Sequence, residues 1–195
     1  MHKDNGRYCY SPSDLNEFIA SPFATWMSRY ALDSPGLVQP DPEPLALTTL
    51  AERGRKHEQA CLTQLRQEGR EIHMLPADTD RVEATITAMR AGHEVIYQGW
   101  LQDRATRDIR SEYFFGRPDF LVRRVGTSAL GNYRYEAWDA TLATQPSPTQ
   151  MIQLCCSADR SRWLKGSGRI RCYCGPAPVN AAAFGPPTSF ITTSS

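Results

Sequence analysis

Tyr113-Phe114-Phe115-Gly116-Arg117-Pro118-Asp119-Phe120-Leu121-Val122 and Tyr133-Arg134-Tyr135-Glu136-Ala137-Trp138-Asp139-Ala140-Thr141-Leu142 are the two stretches on which the reading of this chain turns. Both are rich in strand-favouring aromatic residues, and each carries one aspartate. Side chains on a strand alternate between faces, so Asp139 and Thr141 point the same way and a neighbouring strand can place Asp119 beside them. Two carboxylates converging at the end of a sheet suit a hard cation such as Mg²⁺ or Mn²⁺, which prefers oxygen ligands and keeps several waters for chemistry.

Working outward, Ser147-Pro148-Thr149-Gln150 reads as a capping box with proline at the first helical position, starting a helix through Met151, Leu154 and Ala158. Gln153 and Ser157 share one face of it, and Gln153 is either simply exposed or turned to a site. On the other side, Glu94 to Leu101 is rich in strand formers, and the charged segment Asp103 to Arg110 leads as a hairpin-like loop into the first core strand. Arg104, Arg107, Arg110, Arg123 and Arg124 gather there. They read either as a solvated face or as phosphate contacts at the mouth of a metal site.

Glu71 to Leu75 predicts a short strand. Thr79-Asp80 caps a helix with Val82, Ile86 and Met89 inward and Gly92 at its end. Before these, Thr48 or Thr49 caps a long helix whose face carries Leu47, Leu50, Gly54, His57, Cys61 and Leu65 at steps of three or four residues. That spacing buries His57, as a satisfied core residue or as a ligand, and Gly54 one turn earlier would let a strand or ligand approach closely. Four prolines from Pro35 to Pro44 mark a surface loop. It separates this core from an N-terminal arm in which Ser11-Pro12-Ser13-Asp14-Leu15 starts one helix and Pro22 restarts a second, with Phe23, Trp26, Met27 and Tyr30 as a packing stripe.

Gly116-Arg117-Pro118-Asp119-Phe120-Leu121-Val122, then Tyr135-Glu136-x-x-Asp139-x-x-Leu142-Ala143, then Gln153-Leu154-Cys155, together with Gly54-x-x-His57-Glu58, resemble the RecB-like nucleases of the PD-(D/E)XK superfamily, in a bacterial branch often joined to a helicase. The resemblance spans roughly residues 8 to 159. It implies an α/β fold with a restriction-endonuclease-like core: a mixed central β-sheet flanked by helices, preceded by an N-terminal helical arm. It further implies a metal-dependent DNA nuclease acting in repair or recombination. His57, Asp119, Asp139 and the backbone carbonyl of Ala140 would hold Mg²⁺ or Mn²⁺, Gln153 would lie near the nucleic acid, and DNA and a helicase would be the partners. The chain departs from the family twice. Thr141 stands where the family has its catalytic lysine, and Ser157 stands where it has a tyrosine. Iron–sulfur members carry Cys-Pro where this chain has Ser21-Pro22, so no iron–sulfur cluster is expected.

A chain of 195 residues fits one domain, and a net charge of +1 neither demands nor excludes nucleic acid. Residues 1–159 are expected to form the nuclease-like domain. Residues 160–195 contain no Asp or Glu and lack apolar periodicity, so a disordered tail is expected there. The polar start and the lack of any long apolar run predict a cytoplasmic protein with no membrane partner. The six cysteines are then expected mainly as free thiols. Two rival readings remain beside the nuclease: a non-catalytic nucleic-acid-binding module, and a truncated fragment without function.

Overall fold

The computed structural model describes residues 1–4, 6–38, 45–77, 79–102, 113–141 and 170–174. Its elements run β1 (His2–Asp4), β2 (Arg7–Tyr10), α1 (Pro12–Ala20), α2 (Pro22–Asp33), α3 (Leu45–Gln67), β3 (Ile72–Met74), α4 (Arg81–Ala91), β4 (Val95–Tyr97), β5 (Leu101–Gln102), β6 (Tyr113–Gly116), β7 (Phe120–Ser128), β8 (Gly131–Thr141) and β9 (Ile170–Cys174). The architecture is mixed α/β, with one sheet ordered β1-β2-β6-β5 and a second ordered β3-β4-β7-β8-β9. Both sheets are mixed: β2–β6, β3–β4 and β8–β9 pair in parallel, and the other neighbours are antiparallel.

The second sheet holds the core because its central strands are apolar on both faces. Val95, Ile96 and Tyr97 of β4 are all buried, and so are Phe120, Leu121 and Val122 of β7. Alternation sends Val95, Tyr97, Phe120 and Val122 to one side, where they pack with Cys61 and Leu62 of α3. Ile96 and Leu121 go to the other side and pack with Ala88 and Met89 of α4. A sheet covered by helices on both faces reads as a continuous hydrophobic run, as these two strands do. Beyond Val122 the β7 pattern becomes alternately exposed, since the β7–β8 hairpin outruns the helices, and Val125 is almost fully exposed.

Helix α4 follows from local signals. Asp80 accepts hydrogen bonds from the amides of Val82 and Glu83, and Gly92 ends the helix in the left-handed region at φ 76°. In the arm, Ser21 Oγ accepts from the Ala24 amide at 3.1 Å, and Pro22 opens α2 as expected.

Three expectations are corrected. The run 113–122 is not one strand. β6 pairs with β2 in the first sheet and β7 with β4 and β8 in the second, because Pro118 has no amide hydrogen to continue a ladder. The run 94–101 likewise splits into β4 and β5, with Gln98 at φ 50° between them. Finally, Phe23, Trp26 and Tyr30 stack on one another but stay exposed, as do Leu47 and Leu50. Helical spacing defines a face without supplying a partner for it. Gly54 also has open space around it, with nothing within 4 Å of an added Cβ.

Gly99 is the glycine that packing requires. A Cβ there would lie 2.5 Å from Leu121 Cδ1 and 3.3 Å from Thr85 Cγ2. Gly99→Ala is therefore expected to destabilise the fold by about 1–3 kcal/mol, the range for overpacking a filled core. Denaturant unfolding reads this directly, and an unchanged midpoint would contradict the packing described.

Near the sheet edge, His73 of β3 and His93, just before β4, stack with ring centroids 3.9 Å apart and planes 17° from parallel. Burial, with His93 beside it, holds the His73 pKa below its ordinary value. Of residues 160–195, only β9 is described, and it runs parallel to the end of β8 with Asp139 opposite Cys172 and Thr141 opposite Cys174. Gln153, Ser157, Arg104, Arg107, Arg110 and the 147–150 cap lie outside the described residues.

Candidate metal centre

The antiparallel register Phe120↔Trp138 carries Asp119, one residue before β7, to the side of Asp139 on β8. The two are locked reciprocally. The Ala140 amide donates to Asp119 Oδ2 at 2.7 Å, and the Asp119 amide donates to Asp139 Oδ1 at 3.2 Å. Each aspartate thus spends one oxygen on the neighbouring strand's backbone. Among the described residues, Asp119 Oδ1 and Asp139 Oδ2 accept no hydrogen bond. The loop holding Asp119 is fixed from its other side by the Gln98 amide, which donates to the Asp119 carbonyl at 2.7 Å.

Electrostatics makes this pair costly without a cation. Burial, then the charges of Asp139 and Glu58, push the Asp119 pKa up to about 8, against the Ala140 amide and Arg117, which pull it down. Burial is also the main cause that pushes Asp139 up to about 6. There the Asp119 amide opposes the shift and Glu58 adds to it. Both residues keep partial solvent access.

Glu58 is the residue at this site to which the sequence alone assigned no role. It belongs to the quoted motif, one position after His57, and its charge acts on Asp119, Asp139, Tyr97 and Cys61. Gln98 Nε2 holds it by donating to Oε1 at 2.9 Å. His57 is buried as its spacing predicts, with Nε2 3.8 Å from Cys61 Sγ. Cys61 and Cys9 are free thiols, and burial, then Asp119 and Glu58, push Cys61 up to about 11. That thiol is therefore a packing group and not a nucleophile at neutral pH.

The structure thus brings together Asp119, Asp139 and the Ala140 backbone, with Glu58 as a third carboxylate acting on both aspartates. Among the described residues, no group of three or more His, Cys, Asp and Glu side chains is placed so as to hold a metal ion, so neither His57 nor Glu58 joins the two aspartates in a three-ligand set. The donor set fits a hard ion of another kind. Mg²⁺ is commonly bound through one or two carboxylates, with waters and substrate phosphate filling the other positions.

The two arginines expected beyond Asp119 are engaged elsewhere. Arg123 donates to the Gly92 carbonyl and lies over the Tyr133 ring. Arg124 lies over Trp138 and faces the buried Glu136, with Nε 3.4 Å from Oε2. Among the described residues, no helix is long and apolar enough to cross a membrane. No family model, curated protein or solved structure matches this chain.

Proposed function

We propose that this chain is a RecB-like, metal-dependent DNA nuclease domain of the PD-(D/E)XK type, on a restriction-endonuclease-like core, with a weakened catalytic centre. The observation that carries the reading is the reciprocal lock of Asp119 and Asp139, which among the described residues leaves one oxygen of each carboxylate without a hydrogen bond, while burial and the charge of Glu58 raise both pKa values and the charge of Asp139 adds to the shift of Asp119. Asp119 and Asp139 would hold Mg²⁺ or Mn²⁺, with His57 and the Ala140 carbonyl as the further ligands the resemblance implies. When bound, such an ion supplies Lewis-acid stabilisation and a more acidic water for in-line attack on a phosphodiester. Glu58 adds negative charge that favours a cation at the aspartates. Gln153 is assigned to the nucleic acid. DNA is the substrate and a helicase the functional partner, in repair or recombination in the cytoplasm.

Thr141 weakens the centre because it has no ammonium to stabilise developing negative charge. Removing one such group costs on the order of 10² to 10³ in rate. The same substitution, with the exposed stacked row Phe23–Trp26–Tyr30, favours the second reading, a non-catalytic module on which unpaired bases could stack. Linear DNA incubated with the parent protein separates the two. Slow cleavage that needs Mg²⁺ and stops with chelator is expected. Salt-sensitive binding with no cleavage at any metal concentration would replace the nuclease by the binding module.

A further inference from the structure

We infer that Gln98 is a positioning residue of the aspartate centre, holding the Glu58 carboxylate beside Asp119 and Asp139 but outside the ligand set of an ion bound there. The role rests on the metal centre proposed above. Gln98 follows Tyr97, the last residue of β4, so strand alternation would turn its side chain to the Ile96 side of the sheet, toward α4. It instead takes φ 50°, the one positive φ at a non-glycine position among the described residues. Glycine or asparagine fits that left-handed region more easily than glutamine, and backbone held there against preference gathers at functional sites.

The turn brings the side chains of two consecutive residues to the same side, onto α3. Gln59 Nε2 donates to the Tyr97 hydroxyl at 2.9 Å, and Gln98 Nε2 donates to Glu58 Oε1 at 2.9 Å. The Tyr97 hydroxyl is hydrogen-bonded to Glu58 as well. With its backbone Gln98 reaches the other half of the centre, since its amide donates to the Asp119 carbonyl at 2.7 Å, next to the Tyr97↔Phe120 register. One residue therefore grips the α3 carboxylate by its side chain and the Asp119 loop by its main chain, and so sets where Glu58 stands relative to the aspartates. The charge of Glu58 acts on both of them. A carboxylate fixed outside the ligand set favours a cation by its charge and accepts hydrogen bonds from the ion's waters. Loss of such an outer partner costs roughly 10- to 100-fold in metal affinity.

The test titrates Mn²⁺ calorimetrically into the metal-free full chain, as the parent, Gln98→Gly, Glu58→Gln and the two substitutions combined. Glycine keeps the positive φ and the amide to Asp119 while removing the grip on Glu58. Glu58→Gln keeps an oxygen for Gln98 Nε2 and removes the charge. Mn²⁺ affinity is expected to fall about tenfold in Gln98→Gly and at least as far in Glu58→Gln. The combined variant should bind no more weakly than Glu58→Gln alone, because Gln98 acts through Glu58. Gln98→Asn also tolerates a positive φ but is one methylene shorter, so it should repeat the loss seen with glycine. Cooperative unfolding of each metal-free variant establishes that folded proteins are compared. Affinity equal to the parent's in Gln98→Gly and Gln98→Asn overturns the inference and leaves the aspartate centre standing. An equal loss from Gln98→Gly in the Glu58→Gln background overturns it too, since Gln98 would then act only through the Asp119 loop. No Mn²⁺ binding in a folded parent removes the centre itself, and the positioning role with it.

Discussion

Thr141→Lys should raise Mg²⁺-dependent cleavage of linear DNA by on the order of 10² to 10³ over the parent, the factor that one charge-stabilising donor contributes in such centres. Position 141 closes β8 two residues beyond Asp139, and strand alternation puts the two on one face. A lysine there would carry its ammonium toward the water and the scissile phosphate beside the aspartates. The gain must depend on the carboxylates, so Thr141→Lys with Asp119→Ala should fall back to the parent's level or below. A lysine variant that stays as inactive as this double variant, with both folded, would remove the nuclease reading and leave the binding module.

The second large effect is on stability. A carboxyl whose folded pKa lies above its unfolded value of 3.8 holds its proton more tightly when folded. Its contribution is full below that value and is lost as pH climbs toward about 6 for Asp139 and about 8 for Asp119. The metal-free protein should therefore lose several degrees of Tm between about pH 5 and about pH 8. Asp119→Asn keeps an acceptor for the Ala140 amide and cannot ionise, so it should flatten this slope. Saturating Mn²⁺ should restore Tm most at the alkaline end, where the bare carboxylates repel each other most. A metal-free Tm that is flat or rising across this window would mean that the two carboxyls are not strained as described.

Much of this centre was legible from local chemistry. Asp80 and Gly92 mark the ends of α4, and the repeat through His57 and Cys61 buries both, because caps and helical period depend only on nearby residues. The pairing of Asp119 with Asp139 was legible too, since two apolar strands each offered one aspartate. What the sequence withheld was the choice of partner. Nothing in Tyr113–Gly116 says that this strand leaves its neighbour Phe120–Val122 and joins β2 in another sheet. Nothing in Arg123 or Arg124 says that Gly92, Tyr133, Glu136 and Trp138 engage them. Glu58 stood in plain view one residue after His57, but only tertiary packing brings its charge to bear on Asp119 and Asp139. The aromatic stripe of α2 shows the opposite failure. Its period predicts a buried face, and the described fold provides nothing to cover it.

The central claim is that two aspartates, each anchored by the other's strand, form a divalent-cation centre. Calorimetric titration of Mn²⁺ into the metal-free parent, Asp119→Ala and Asp139→Ala tests it most directly. The account predicts saturable binding in the parent and its loss in both variants, because an oxygen site stripped of either carboxylate loses half of its charge. Equal Mn²⁺ binding in all three proteins, or none in a folded parent, would contradict it.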